Sequence, residues 1–166
     1  MSDCFTVRPA RPDELDQVGR LTLEAYVADG HTNAAGAYAA ELADAARRAR
    51  DAELLVALAS DGMVLGTITV CASGSPLGEV SQPGELEFRM LAVAPAAHRR
   101  GVGEALVTAV LQRAIEIGAH RVVLCSTEEM CVAHRLYARL GFVRLPERDW
   151  QPVPGMTLLA FGATTV

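Results

Sequence analysis

Long apolar runs are missing from this chain. None reaches the length of a membrane-spanning helix, and the first fifteen residues, MSDCFTVRPARPDEL, lack the apolar segment of a secretory signal. A cytoplasmic protein with no membrane partner is the expectation. Cysteine is scarce as well. Cys4, Cys71, Cys125 and Cys131 form no Cys-x-x-Cys pair and have no histidine at metal-ligand spacing, so they read as reduced thiols with no metal site. There is no basic excess: 15 Lys and Arg stand against 20 Asp and Glu, a net charge of -5. That balance argues against a nucleic-acid partner and suits a cationic one. Internal repeats, low-complexity tails and linkers are absent too. What remains is a chain of 166 residues, 51% of them hydrophobic, which fits one domain around one core.

Phe5 to Arg8 forms a short candidate strand. Pro12, Asp13 and Glu14 suit a first helical turn, and Leu15, Val18, Leu21 and Ala25 follow at helical spacing to about Val27. Asp29 and Gly30 break that helix. An Ala-rich helix is expected over 35–50, with Tyr38, Leu42, Ala45 and Ala49 on its stripe. Residues 54–60 and 63–71 read as strands joined by an Asp61-Gly62 hairpin turn. Residues 72–84, rich in Gly, Ser and Pro, read as a loop.

The stretch from Glu85 to Gly103 organises the rest. Residues 85–93 alternate, with Glu85, Glu87, Arg89, Leu91 and Val93 expected on one face and Leu86, Phe88, Met90 and Ala92 on the other. Pro95 stops this strand. Arg99, Arg100, Gly101, Val102 and Gly103 then lead into a helix over 102–117, with a stripe of Val102, Leu106, Ala109, Val110 and Ile117. A strand, a tight Gly-containing turn and a helix start make a cradle for phosphate in chemical terms. A core strand over 121–125, a helix over 128–140 ended by Gly141, and strands over 142–145 and 156–161 complete the chain. The stiff segment 146–155, with three prolines and Trp150, reads as a loop beside a pocket or as plain packing.

The order Leu91, Ala92, Val93, Ala94, Pro95, then Arg99 to Gly103, then Ala105 and Leu106, resembles the GNAT superfamily of N-acetyltransferases. That resemblance implies that Leu91, Ala92 and Val93 bind the pantetheine arm of acetyl-CoA. It also implies that His98, Arg99, Arg100, Gly101, Val102, Gly103 and Glu104 hold its pyrophosphate. His98 stands where the family has Gln or Arg. A second run, Ala133, His134, Arg135, Leu136, Tyr137 through Leu140, Gly141 and Phe142, resembles the family's Asn-x-x-Ala-x-x-Leu-Tyr-x-x-x-Gly-Phe, with Met130 in place of Asn. It implies that Tyr137 contacts the cofactor and acts as general acid on the CoA thiolate.

An amine acceptor arrives as an ammonium and needs a base. Glu87 stands where several family members place one, with Glu85 in reserve on the same face and Arg89 able to pair with either. The backbone N–H of Leu91 matches the family's donor to the thioester oxygen. His98 and an outward-facing His134 receive no catalytic role. His31, in the loop after the first helix, reads as a solvated residue near the acceptor cleft, and Cys131 as inert packing.

The fold expected is α/β (α+β): a single GNAT-like domain over 1–166, with a mixed, mostly antiparallel sheet flanked by helices. The activity expected is transfer of acetyl from acetyl-CoA to a small-molecule or peptide amine by direct attack. A homodimer stays open. An acyl-CoA-sensing domain of the same fold competes with this reading. A dinucleotide oxidoreductase also competes, but Leu106 fills the position where its glycine fingerprint wants Gly or Ala.

Overall fold

The computed structural model describes residues 4–32 and 36–165. One sheet carries eight strands in the order β1-β2-β3-β4-β5-β8-β6, with β7 paired to β8. These are β1 (Phe5–Pro9), β2 (Glu53–Ala59), β3 (Val64–Ala72), β4 (Glu85–Val93), β5 (Arg121–Thr127), β6 (Val143–Arg144), β7 (Trp150–Val153) and β8 (Met156–Thr164). The helices are α1 (Leu15–Ala28), α2 (Ala37–Ala43), α3 (Ala45–Asp51), α4 (Val102–Glu116) and α5 (Cys131–Arg139). Strands β1 to β4 form an antiparallel meander. β4 and β5 are parallel because α4 carries the chain back across the sheet. The sheet is therefore mixed, as expected.

Alternation along β2 assigns the two layers. Leu55 and Ala57 join Phe88, Val102, Leu106, Val110 and Tyr137 in a core under α4 and α5. Leu54, Val56 and Leu58 join Val18, Leu21, Ala25 and Ala45 under α1 and α3. α4 lies close because β3 carries Gly66 there: a Cβ at that position would fall 2.7 Å from Val102 Cγ1.

Several expectations need correction. The helix over 35–50 is two helices, because Asp44 caps a new start and accepts the Arg47 N–H at 3.0 Å; residue 35 lies outside the described residues. Tyr38 and Ala49 are exposed, and Arg48 is buried in their stead. Ile117 is also exposed, since α4 ends at Glu116. α5 begins at Cys131 rather than 128, the strand over 142–145 shrinks to β6, and the Trp150 segment contributes β7.

The main correction concerns β4. Thr67 pairs with Ala92 and Thr69 with Arg89, so three steps on β4 oppose two on β3. This β-bulge places Met90 at φ 53 and reverses the face of everything beyond it. Leu86 and Phe88 face α4, and so do Leu91 and Val93, whereas Ala92 faces α1. Glu87 and Leu91 therefore lie on opposite faces.

Candidate active site

β4 and β5 pair only through Glu85–Arg121, Leu86–Val122 and Glu87–Val123. β4 then continues to Val93 and β5 to Thr127 with no further pairing between them, so the sheet parts into a wedge. At the wedge the backbone edge of β4 past Glu87 is left without β5 as its hydrogen-bonding partner, which is where an extended ligand with amide groups would add like a strand.

The turn after β4 ends beside this wedge. A 3-10 turn spans Pro95–Ala97, Arg99 adopts φ 65, and Gly101 is left-handed at φ 78. Gly101 is the N-cap of the fifteen-residue α4, and no side chain caps the helix. Its first N–H groups are thus oriented for an anion, with the helix dipole behind them. His98, Arg99, Gly101 and Glu104 are exposed around this start, Arg100 is half-buried, and Glu104 lies 3.9 Å from Arg139 of α5. Gly103 marks the convergence of three elements. A Cβ there would lie 3.4 Å from Leu136 Cδ2 of α5 and 3.7 Å from Val93 Cγ2 of β4. The turn, the end of β4 and α5 thus meet at one place, with Leu91, Val93, Val102 and Gly103 around it.

Tyr137 projects from α5 into the core. Its ring centroid lies 5.7 Å from Phe88, 5.8 Å from Phe142 and 6.1 Å from Phe161. Burial pushes its hydroxyl well above the ordinary tyrosine value, so it stays protonated and able to donate. His134, one turn earlier, does not face outward as expected. It is half-buried 5.0 Å from the Phe161 ring, and its Nε2 lies 3.0 Å from the buried Ser126 hydroxyl of β5. Burial lowers its pKa; the Thr127 backbone opposes this and Arg144 adds to it. Cys131 is exposed rather than packed.

The other face of the wedge holds charge. Glu85 is buried and accepts two bonds from Arg148, at 2.6 and 3.0 Å, and one from the Gln82 N–H, with Arg121 at 3.6 Å. Burial pushes its carboxyl up, but the Arg148 bonds, the Gln82 amide and Arg121 outweigh this and hold it below the usual carboxylate value. Glu87, expected as an accessible base, is 0% exposed. Its Oε1 accepts the N–H groups of Glu79, Val80 and Ser81 at 2.9 to 3.0 Å, and its Oε2 accepts Glu79 at 2.9 Å. Arg89 pairs with neither expected partner: its Nε lies 3.1 Å from Glu79, and Nη1 donates to the Leu77 carbonyl at 3.1 Å. Arg48 braces the helices above by donating to the Glu41 carbonyl at 2.7 Å and the Thr22 hydroxyl at 3.3 Å. Tyr26 stands beside it, edge-on to Tyr38 and His31. Burial pushes the Cys71 and Cys125 thiols up to about 12, which leaves both unreactive.

The sequence reading missed Glu79, because a Gly/Ser/Pro loop carries no periodicity, and Arg48, because its Ala-rich surroundings read as one continuous helix. Among the described residues no cluster of three or more His, Cys, Asp or Glu side chains is placed to hold a metal, and no helix is long and apolar enough to cross a membrane.

Comparison with known proteins gives this geometry a context. None of the curated proteins matches the chain. An acetyltransferase of the GNAT family from Staphylococcus aureus superposes with a TM-score of 0.75 at 11% identity, covering 98% of this chain and 100% of its own. A GCN5-related N-acetyltransferase from Kribbella flavida gives 0.70 at 26% identity, covering 96% and 97%. The protein yncA from Salmonella typhimurium, solved with its cofactor acetyl-CoA, gives 0.67 at 20% identity, covering 98% and 95%. The family model described as Acetyltransferase (GNAT) family matches residues 16–142, which include the wedge, the Gly101 turn and Tyr137, and the chain belongs to that family.

Proposed function

We propose that the protein transfers the acetyl group of acetyl-CoA to a primary amine by direct attack, with no covalent enzyme intermediate. The observation that carries this reading is the parting of β4 from β5 beside an uncapped helix start that follows a left-handed Gly101. Acetyl-CoA supplies an activated acetyl thioester. The residues present suit it: the α4 N–H groups for the pyrophosphate, with His98, Arg99, Arg100, Gly101, Val102, Gly103 and Glu104 around them, and the free edge at Leu91, Ala92 and Val93 for the pantetheine amides.

The bulge re-aims the backbone immediately before Leu91, whose N–H we assign as donor to the thioester oxygen. Tyr137 holds a proton on its hydroxyl for the departing sulfur. Burial raises the hydroxyl pKa, so Tyr137 keeps its proton at neutral pH until a sulfur bearing negative charge is beside it.

Tyr137→Phe tests the assignment, because it keeps the ring and its contacts with Phe88 and Phe161. Acetyl-CoA affinity by calorimetry is expected to stay within about twofold, and turnover by thiol release to fall by roughly 10-fold to 1,000-fold. Unchanged turnover removes Tyr137 from the mechanism. Tight acetyl-CoA binding with no turnover in the parent favours the sensing domain instead.

A further inference from the structure

The loop between β3 and β4 folds back over the sheet face opposite α4 and α5. Glu87 holds it there. The carboxylate accepts backbone N–H groups of residues 79–81, and the group is 0% exposed, so an incoming ammonium cannot touch it directly. The same bonds fix the backbone of Glu79, whose own side chain then reaches Arg89 at 3.1 Å and remains 20% exposed.

Charged and titratable groups face Glu79 from every neighbouring element: Arg89 and Glu87 on β4, Glu41 and Tyr38 on α2, Cys71 on β3 and Cys125 on β5. Cys125 belongs to the stretch of β5 that has already parted from β4. Glu79 is thus a partly open carboxylate at the wedge, on the face away from the Gly101 turn and Tyr137. With acetyl-CoA held on the Gly101 side, as in the reading above, this face is the one open to an acceptor.

We propose that Glu79 is the base that takes the proton of the acceptor's ammonium, and that Glu87 is a positioning residue that sets Glu79 by clamping the loop. This rests on the acetyl-transfer reading above. Glu79 takes one proton from the ammonium, leaving a neutral amine. The amine nitrogen bonds the acetyl carbon, the carbon–sulfur bond breaks, and the sulfur leaves with its electron pair and is protonated. The second nitrogen proton replaces the one delivered to sulfur, and Glu79 returns its proton to solvent before the next turnover. Burial pushes the Glu79 carboxyl above the ordinary value; Arg89 opposes this, while Glu87 and Glu41 add to it. Basicity raised in that direction suits proton abstraction near neutral pH.

The test uses the full chain and two readouts. The first follows glutamate carboxyl resonances of the ligand-free, carbon-13-labelled protein through a pH titration. One carboxyl is expected to titrate above the usual glutamate range and to vanish in Glu79→Gln. The second is the pH profile of kcat/KM, with acetyl-CoA and a panel of spermidine, phenethylamine and a tripeptide with a free N-terminus. Glu79→Gln is expected to lose on the order of 100-fold at neutral pH, with the gap narrowing as pH rises and the amine deprotonates unaided. Glu87→Gln is expected to keep an acidic limb, displaced and with lower rates, because Glu79 is still present but less well placed. The proposal is overturned if Glu79→Gln matches the parent at every pH, if the high-titrating resonance survives in it, or if Glu87→Gln alone abolishes the acidic limb. An active parent with an indifferent Glu79→Gln overturns the base assignment only. A parent that acetylates no amine in the panel overturns the acetyl-transfer reading and this proposal with it.

Discussion

Glu87→Gln separates a structural clamp from a chemical base through stability alone. In the parent, Oε1 accepts three N–H groups, from Glu79, Val80 and Ser81, and Oε2 shares the Glu79 N–H. Glutamine with its carbonyl at the Oε1 position keeps Val80, Ser81 and the longer half of the shared Glu79 bond, and loses the Oε2 half. Its NH2 then faces the Glu79 N–H, donor against donor. The variant also weakens the remaining bonds, because charge-assisted bonds are about twice as strong as neutral ones. Losing one bond to a charged group costs about 1.5–3 kcal/mol, so a total near 2–3 kcal/mol is expected. For a chain of this size each kcal/mol moves the midpoint by roughly 2–4 °C, which places Tm about 4–12 °C below the parent. Glu87→Ala leaves all three donors without the carboxylate, and should fall further unless water reaches the loop. The assay is thermal unfolding followed by circular dichroism at neutral pH, with Glu79→Gln as control. That control removes one ion pair and leaves the backbone bonds to Glu87 in place. A Glu87→Gln midpoint within about 1 °C of the parent would refute the clamp.

Two more outcomes follow from the geometry. His98→Ala removes an exposed side chain and no backbone donor, so KM for acetyl-CoA should rise by less than about tenfold. Gly101→Val should harm binding far more, through strain and not collision: φ is 78 and a Cβ would meet nothing within 4 Å. The reverse order would displace the cradle. Arg148→Ala, read by urea unfolding, should cost about 3 kcal/mol at neutral pH by leaving Glu85 buried with fewer partners. The folded-state pKa of Glu85 is depressed, so its contribution is fully present above the unfolded carboxylate value and is lost as pH falls through the lower folded one. The gap between parent and variant should therefore shrink below about pH 4–5. A gap that holds constant into acid would contradict the assignment.

The strand, turn and helix start around Gly101 were legible because their parts are local. Pro95 stops a strand, Gly101 supplies the left-handed residue, and Val102, Leu106 and Val110 repeat at helical spacing. The bulge was not legible. Residues 90–93 are Met, Leu, Ala and Val, so a reversal of faces there buries no polar group and leaves no trace in the pattern. The charged half of β4 misled in another way. Glu85, Glu87 and Arg89 do share a face, as the alternation implied, but their partners come from residues 77–82 and from Arg148, about sixty positions on. Contacts of that kind are set by how a loop folds back, and spacing does not encode them. Asp44 shows the same limit at short range: within an Ala-rich run it reads as a wet helical position, yet its side chain starts a second helix.

Direct acetyl transfer to an amine at the wedge, as proposed, leaves a signature in product and protein mass. It is tested most directly by incubating the protein with isotopically labelled acetyl-CoA and a mixture of primary amines, then following products, CoA thiol and intact protein by mass. The expected result is an N-acetylated amine carrying the label, formed in step with free CoA, while the protein mass stays unchanged. A labelled protein that passes its acetyl group on, or acetyl-CoA that binds and is never consumed, would contradict it.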